Sequence, residues 1–334
     1  MILAGDIGGT KTQIAAYDPS QGYRRPLYSQ IYPSRDYGSL ASIVNDFIQQ
    51  HDLSVRRATF GVAGPVIAGQ SKITNLDWYL EERELSRQLA IPKLRLINDL
   101  AAVAYSVPQL HDDELEVLQA GSPSQSGNKA IVAPGTGLGQ SFLVWDRDRY
   151  HAFPSEGGHA SFSPATALQV GLLRYLQERF GHVSVERVAS GSGFLNLYNY
   201  LLSVGFATEP AWLKLALERA QDPTPVLLKG AIGTDRPCDL CRAALDLFIE
   251  ILAAEAGNFA LKILPGGGLY LGGGMPLRIL PALRSPNFKE SFIDKGRLRD
   301  YLETVPVSVI LHPDAALMGA AVHAFRAHIS GVPS

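Results

Sequence analysis

The residues of this chain best suited to chemistry lie at glycine turns and at the ends of apolar runs. Asp6 ends the run ILAGD just ahead of Gly8, Gly9 and Thr10. A second turn holds Gly135, Thr136, Gly137, Leu138 and Gly139, and a third holds Gly272, Gly273 and Gly274. Backbone N–H groups at such turns can hold phosphate, because no side chain blocks its approach. Ordinary hairpin turns are the competing explanation for any one of them. Asp6 adds a hard oxygen ligand that could hold Mg²⁺ directly or through water. The first turn nearly spells a P-loop, but Thr10 stands where that motif needs glycine before Lys11. A P-loop also leads into a helix, whereas TQIAAYD after the turn reads as a strand. The near-match is therefore accidental, and Gly8 and Gly9 are expected to supply the positive φ of a tight hairpin.

Asn98 and Asp99 end the run RLIND and open a helix. Asp99 either caps that helix through a backbone hydrogen bond or acts as general base. Ligands bind at the carboxyl ends of strands in open α/β sheets, which suits the second role. The stretch SEGGHASF sets Glu156 and His159 around a Gly-Gly turn, either as two surface polar groups or as acceptors and a donor for a polyhydroxylated ligand. Glu186, in SVERVASGSG, looks like any exposed helical glutamate apart from the glycine-rich turn after it.

These groups need a scaffold. The chain has 334 residues, so two moderate domains are expected. Residues are 46% hydrophobic and 19% charged, with a net charge of −2. That balance describes a water-soluble protein with small-molecule ligands and favours neither nucleic acid nor membrane. No signal-like segment opens the sequence, which points to the cytoplasm. Cys238 and Cys241 form a lone C-x-x-C and read as two reduced thiols rather than a zinc site.

Strand and helix patterns alternate through the first hundred residues, as in an α/β lobe. GSLASIVNDFIQQH and TNLDWYLEERELSRQLAI carry helical periodicity; RATFGVAG and KLRLIND read as strands. Residues 121–129, rich in Ser and Gly, form a loop. KAIVAPGTGLGQSFLVWDRDRY then repeats the order of the first segment about 130 residues later. Long helical patterns follow, and DAALMGAAVHAFRAHI closes the sequence as a helix with Asp314 as its N-cap and small residues suited to close packing.

The ordered succession DIGGTKT, LIND, APGTGLG, EGGH, ERVASGSG and GGLYLGGG resembles the bacterial-type glucokinases, non-ROK hexose kinases of the actin, Hsp70 and sugar-kinase superfamily. The likeness runs from Gly5 to the final helix. It implies an α/β protein with a two-lobed actin-like ATPase (ribonuclease H-like) fold around a cleft, and because water is the competing nucleophile the lobes are expected to close when sugar arrives. Residues 1–108 and the helix 314–330 would form the small lobe, and 109–313 the larger, helix-rich one. The reaction implied is transfer of the ATP γ-phosphoryl group to the 6-hydroxyl of glucose. Asp99 would be the base, and Asn98, Glu156, His159 and Glu186 would contact the sugar. Asp6, Gly8, Gly9, Thr10 and Lys11 would meet the phosphates and Mg²⁺; Gly135, Thr136, Gly137 and Gly139 would form the second phosphate segment. Gly272, Gly273 and Gly274 would belong to the adenosine segment. A homodimer is implied as well.

Two features depart from the pattern. Lys11 stands where many close relatives carry Asn, and GGTK is more usual among the repressor/ORF/kinase (ROK) sugar kinases. EGGH, however, lacks the cysteine-rich zinc segment of that group, and no DNA-binding extension precedes the first strand. A kinase for another hexose or amino sugar, a non-catalytic sugar sensor, and an ATPase whose lobes transmit movement are the alternatives.

Overall fold

The computed structural model describes residues 1–73 and 76–329. The chain divides into two compact units. The first comprises Met1–Glu114, Ser141–Pro154 and the chain from His312 onward; the second comprises Leu115–Gln140 and Ser155–Leu311. Segment 141–154, which the sequence assigns to the larger lobe, groups with the first unit, where Arg326 Nη1 donates to the Tyr150 carbonyl at 2.8 Å.

In the first unit the chain order is β1 (Ile2–Ile7), β2 (Lys11–Tyr17), β3 (Tyr28–Pro33), α1 (Leu40–Gln50), β4 (Arg57–Val62), β5 (Gln70–Lys72), β6 (Tyr79–Glu81), α2 (Glu82–Gln88), β7 (Lys93–Asn98) and α3 (Asp99–Ser106). The main sheet runs β3-β2-β1-β4-β7, antiparallel at the β1–β2 hairpin and parallel from β1 through β4 to β7. Alternate residues of β1 face opposite sides, and both sides are buried. Leu3 and Ile7 join Phe60 and Val62 over Ile43, Val44 and Phe47 of α1. Ile2 and Ala4 join Ala102 of α3 and Leu317, Ala320 and Ala321 of the C-terminal helix, Ala315–Ile329. Small residues let that helix approach closely: a Cβ on Gly319 would collide with the Ala102 carbonyl.

The helix expected over TNLDWYLEERELSRQLAI is confined to Glu82–Gln88. Leu80 instead pairs with Ser71 in the β5–β6 hairpin, and the Ile73 N–H donates to the Trp78 carbonyl at 3.1 Å. Cross-strand pairing here overrides the helical spacing of Trp78 and the leucines. Thr74 and Asn75 lie outside the described residues.

In the second unit β8 (Leu115–Gln119), β9 (Lys129–Pro134), the start of β10 (Leu138–Asp146), β12 (Leu269–Leu271) and β13 (Val307–Ile310) share a sheet ordered β10-β9-β12-β13-β8; β11 (Arg149–Ser155) follows β10 in the chain. The run β10-β9-β12-β13 repeats the order β2-β1-β4-β7, with β12 parallel to both neighbours. The internal repeat read from the sequence is therefore present in the topology. The helices α4 (Ala167–Phe180), α5 (Gly191–Ser203), α6 (Ala211–Arg219), α7 (Pro223–Ile232) and α8 (Asp239–Ile263) supply the helical bulk. Among the described residues no helix is long and apolar enough to cross a membrane.

Candidate functional site

Each unit gathers its candidate residues at the ends of its strands. In the first, Asp6 of β1 is level with Gly61 of β4, and Val62 with Asn98 of β7. With strands 4.7–4.9 Å apart, the β1 and β7 backbones lie about 10 Å from one another across β4. Gly61 keeps that intervening surface low: a Cβ there would stand 3.0 Å from the Ala102 Cβ and 3.8 Å from the Asp99 Cα.

Asn98 is the N-cap of α3, its Oδ1 accepting from the N–H groups of Leu100 and Ala101 at 2.9 and 3.2 Å, while its Nδ2 donates to the Gly64 carbonyl at 3.1 Å. Capping thus falls to Asn98, and Asp99 occupies the first helical position. Asp99 Oδ1 accepts from the Leu100 N–H at 2.8 Å. The positive end of the helix steadies its negative charge. Burial raises the pKa of Asp6, opposed by nearby Lys11 and reinforced by the like charge of Asp314. Such a carboxylate is set to gain from a cation.

The turn at Gly8, Gly9 and Thr10 closes an antiparallel hairpin, and the strand Lys11–Tyr17 follows it, so the P-loop geometry is absent. The expected positive φ at Gly8 and Gly9 is not found. The Gly8 N–H donates to the Lys11 carbonyl at 3.0 Å, and the turn is held from the side by Ser34. Ser34 Oγ donates to the Gly8 carbonyl at 2.8 Å, and its N–H to the Thr10 carbonyl at 3.0 Å. This lateral support makes a left-handed residue unnecessary.

In the second unit the loop 135–139 is supported by a carboxylate. Glu186 Oε2 accepts from the Leu138 N–H at 2.9 Å and presses on Gly137, where a Cβ would collide with it. The Gly135 carbonyl accepts from the Gly191 N–H of α5 at 2.8 Å, and Gly139 already belongs to β10. Thr136 is exposed at the tip. Among the described residues, the N–H groups of Gly9, Thr10, Thr136 and Gly137 have no protein acceptor and remain available to an anion.

Glu156 and His159 flank a short 3₁₀ turn; Glu156 Oε2 and His159 Nε2 are 3.8 Å apart, and both side chains are exposed. Gly272 extends β12 by donating to the Val132 carbonyl at 2.9 Å. Gly273 takes φ +81° against the Pro134 carbonyl, the left-handed conformation that glycine supplies, and Gly274 opens a short helix.

A cavity of about 640 Å³ joins these segments within the second unit. Gly135, Thr136 and Gly274 line it, together with Arg187, Asn196 and Thr224. The N-termini of α5 and α7 also open on it through Gly191 and Pro223, and a helix N-terminus favours an anion. Sequence reading missed Arg187, Asn196, Asp222, Thr224 and Arg278, which reach the cavity from separate segments. The glycine-rich turn after Glu186 was their only local signal. Cys238 and Cys241 are free and buried, and burial pushes the Cys241 thiol up. Among the described residues no cluster of three His, Cys, Asp or Glu side chains could hold a metal ion by itself.

The glucokinase family model matches residues 3–327. A glucokinase of Nostoc punctiforme is 40% identical over 339 aligned positions, covering 98% of this chain and 99% of that protein. A glucokinase of Psychromonas ingrahamii is 34% identical, with 96% of each covered. Among solved structures, glucokinase from an Antarctic psychrotroph superposes with a TM-score of 0.81 at 32% identity, covering 97% of this chain and 98% of that one. A ROK family glucokinase from Streptomyces griseus, in complex with glucose and AMPPNP, shares the fold with a TM-score of 0.62 at 20% identity, covering 97% and 99%.

Proposed function

The chain belongs to the glucokinase family and phosphorylates glucose with ATP, and we propose that Asp99 is the general base that takes the proton from the sugar 6-hydroxyl. The observation that carries this reading is the setting of Asp99. It stands at the carboxyl end of β7, at the head of α3, in the same sheet as Asp6 and the turn after it. One carboxylate oxygen is oriented by the Leu100 N–H. A positioned base of this kind contributes about 10²–10⁴-fold in rate.

Phosphoryl transfer depends mostly on positioning and charge neutralisation, because its transition state is loose. The N–H groups of Gly9, Thr10, Thr136 and Gly137 serve the phosphates, and the cavity beside Gly135 and Gly274 takes the adenosine. Magnesium fits Asp6: it prefers oxygen ligands, keeps several waters and needs no multi-carboxylate cage. Bound with ATP, it supplies charge neutralisation on the phosphates; Asp6 would hold it directly or through water. Asn98, Glu156, His159 and Glu186 recognise the sugar hydroxyls; a polar group that the bound sugar covers, left unpaired by a wrong sugar, costs about 1–3 kcal/mol. Lys11 adds positive charge beside the first turn. We place the enzyme in the cytoplasm at the entry to glycolysis, as a homodimer without nucleic-acid or membrane partners, on its family likeness and charge balance.

The test is a panel of hexoses and amino sugars assayed for ADP release with ATP and magnesium. Glucose should give the highest kcat/KM, and omission of sugar should abolish release. Sugar-independent release, or a clear preference for another sugar, would replace this reading.

A further inference from the structure

The turn bearing Glu156 and His159 is seated on the first residues of β10. A Cβ on Gly157 would collide with Gln140 Oε1, and one on Gly158 with the Leu138 carbonyl. The seat of the turn is thus shared by the Leu138 backbone and the Gln140 side chain, and only the second is held in place by another side chain.

That anchor lies on α8. Gln140 Nε2 donates to Glu255 Oε1 at 2.8 Å, and the two residues are only 2% and 7% exposed. The second Glu255 oxygen accepts from Asn258 Nδ2 at 3.2 Å. Glu255 also attracts Lys295, partly offsetting the burial that lowers that lysine's pKa. An ionised carboxylate only accepts hydrogen bonds, whereas a glutamine amide has one donating and one accepting end. Glu255 therefore claims the amide nitrogen of Gln140 and turns Oε1 toward Gly157. A buried charge is costly, and apolar residues of similar volume often serve packing as well or better, so packing alone gives no reason for Glu255.

We infer that the Glu255–Gln140 pair is a positioning device for the turn that presents Glu156 and His159, tuning sugar affinity without touching the sugar. The inference rests on the sugar-contact reading of those two residues. Glu255 fixes the amide orientation of Gln140, and Gln140 fixes Gly157.

A double-mutant cycle tests it, with KM for glucose, KM for ATP and kcat measured in four proteins. In Glu255→Gln the partner no longer dictates which end of the Gln140 amide it receives. KM for glucose should rise about tenfold, while KM for ATP and kcat stay within about twofold. In Gln140→Glu two carboxylates face each other, and KM for glucose should rise further. In the double variant Q140E/E255Q, the amide of residue 255 can donate to one oxygen of residue 140 while the other again faces Gly157. KM for glucose should then return to within about threefold of the parent. A purely structural role would move all three parameters together and show no such recovery. Unchanged KM for glucose in Glu255→Gln, or a double variant as poor as the worse single, overturns the inference. Should Gln140→Glu fail to fold, the split between the two KM values in Glu255→Gln decides alone. Glu156→Ala separates the two claims: unchanged glucose affinity there removes the sugar-contact reading itself.

Discussion

The two glycine turns that follow the first strands of the repeated hairpins, at 8–10 and at 135–139, carry the same sequence pattern and are supported by different chemistry. The first is braced by a neutral, buried hydroxyl: Ser34 Oγ donates to the Gly8 carbonyl and lies 3.0 Å from Thr12 Oγ1. The second is braced by a carboxylate, Glu186, bonded to the Leu138 N–H. A hydroxyl beside a carbonyl leaves the first turn electrically neutral, next to the acidic Asp6. The Glu186 carboxylate consumes a donor and brings negative charge to the loop that we propose receives phosphate. The second loop should therefore be the more sensitive to substitution.

The largest expected difference comes from adding one methyl group to each. Gly137→Ala forces a collision with Glu186, whereas Gly8→Ala brings the new Cβ to 3.1 Å from the Lys11 carbonyl. KM for ATP and kcat together should worsen by about 10²-fold in Gly137→Ala, the scale of losing one preorganised donor, and by much less in Gly8→Ala. Equal losses would erase the contrast.

Next in size is Glu186→Ala, which leaves the Leu138 N–H unpaired. At about 1–3 kcal/mol for an orphaned buried donor, stability read as a urea midpoint should fall, with Glu186→Gln closer to the parent because its amide oxygen can still accept. A urea midpoint unmoved by Glu186→Ala would remove Glu186 from its bracing role at this loop. Ser34→Ala should lower stability by about 1 kcal/mol, read as a urea midpoint, with KM for ATP nearly constant.

The smallest effects concern pH, and they separate the two units. In the first unit His323, half-buried beside Thr59 with its Nδ1 3.1 Å from Thr59 Oγ1, has its pKa lowered by desolvation to about 4 from an ordinary 6.5. Between those values the unfolded chain binds the extra proton, so stability present above pH 6.5 is lost as the pH falls toward 4. In the second unit burial lowers Lys129 to about 8 from 10.5, so between pH 8 and 10.5 the unfolded chain again holds more protons. Stability there should rise with pH. Hydrogen exchange followed peptide by peptide should show the first unit opening in acid and the second tightening in alkali; the reverse pattern would contradict both assignments.

Much of this arrangement was readable from local sequence. Hairpin strands, the IND strand end and the EGGH turn each depend on neighbours a few residues away, and alternation or glycine content exposes them. Features that depend on distant partners were not. Gly8 and Gly9 avoid positive φ because Ser34, on another segment, holds the turn. The stretch 78–81 carries helical spacing yet lies outside the helix, because Leu80 finds a partner in Ser71. Arg187, Asn196 and Thr224 share a cavity only after separate helices pack, and no spacing rule connects them. Glu186 offered one weak cue, the glycines after it; its bond to Leu138, 48 positions away, left no mark in the sequence.

The central claim concerns Asp99, and Asp99→Asn tests it most directly when glucose binding is measured by calorimetry and turnover by ADP release. Asparagine keeps the shape and the bond from the Leu100 N–H but cannot take a proton, so glucose affinity should stay within a few-fold while turnover falls by about 10²–10⁴-fold. Turnover close to that of the parent, with glucose binding intact, would show that the proton leaves by another route.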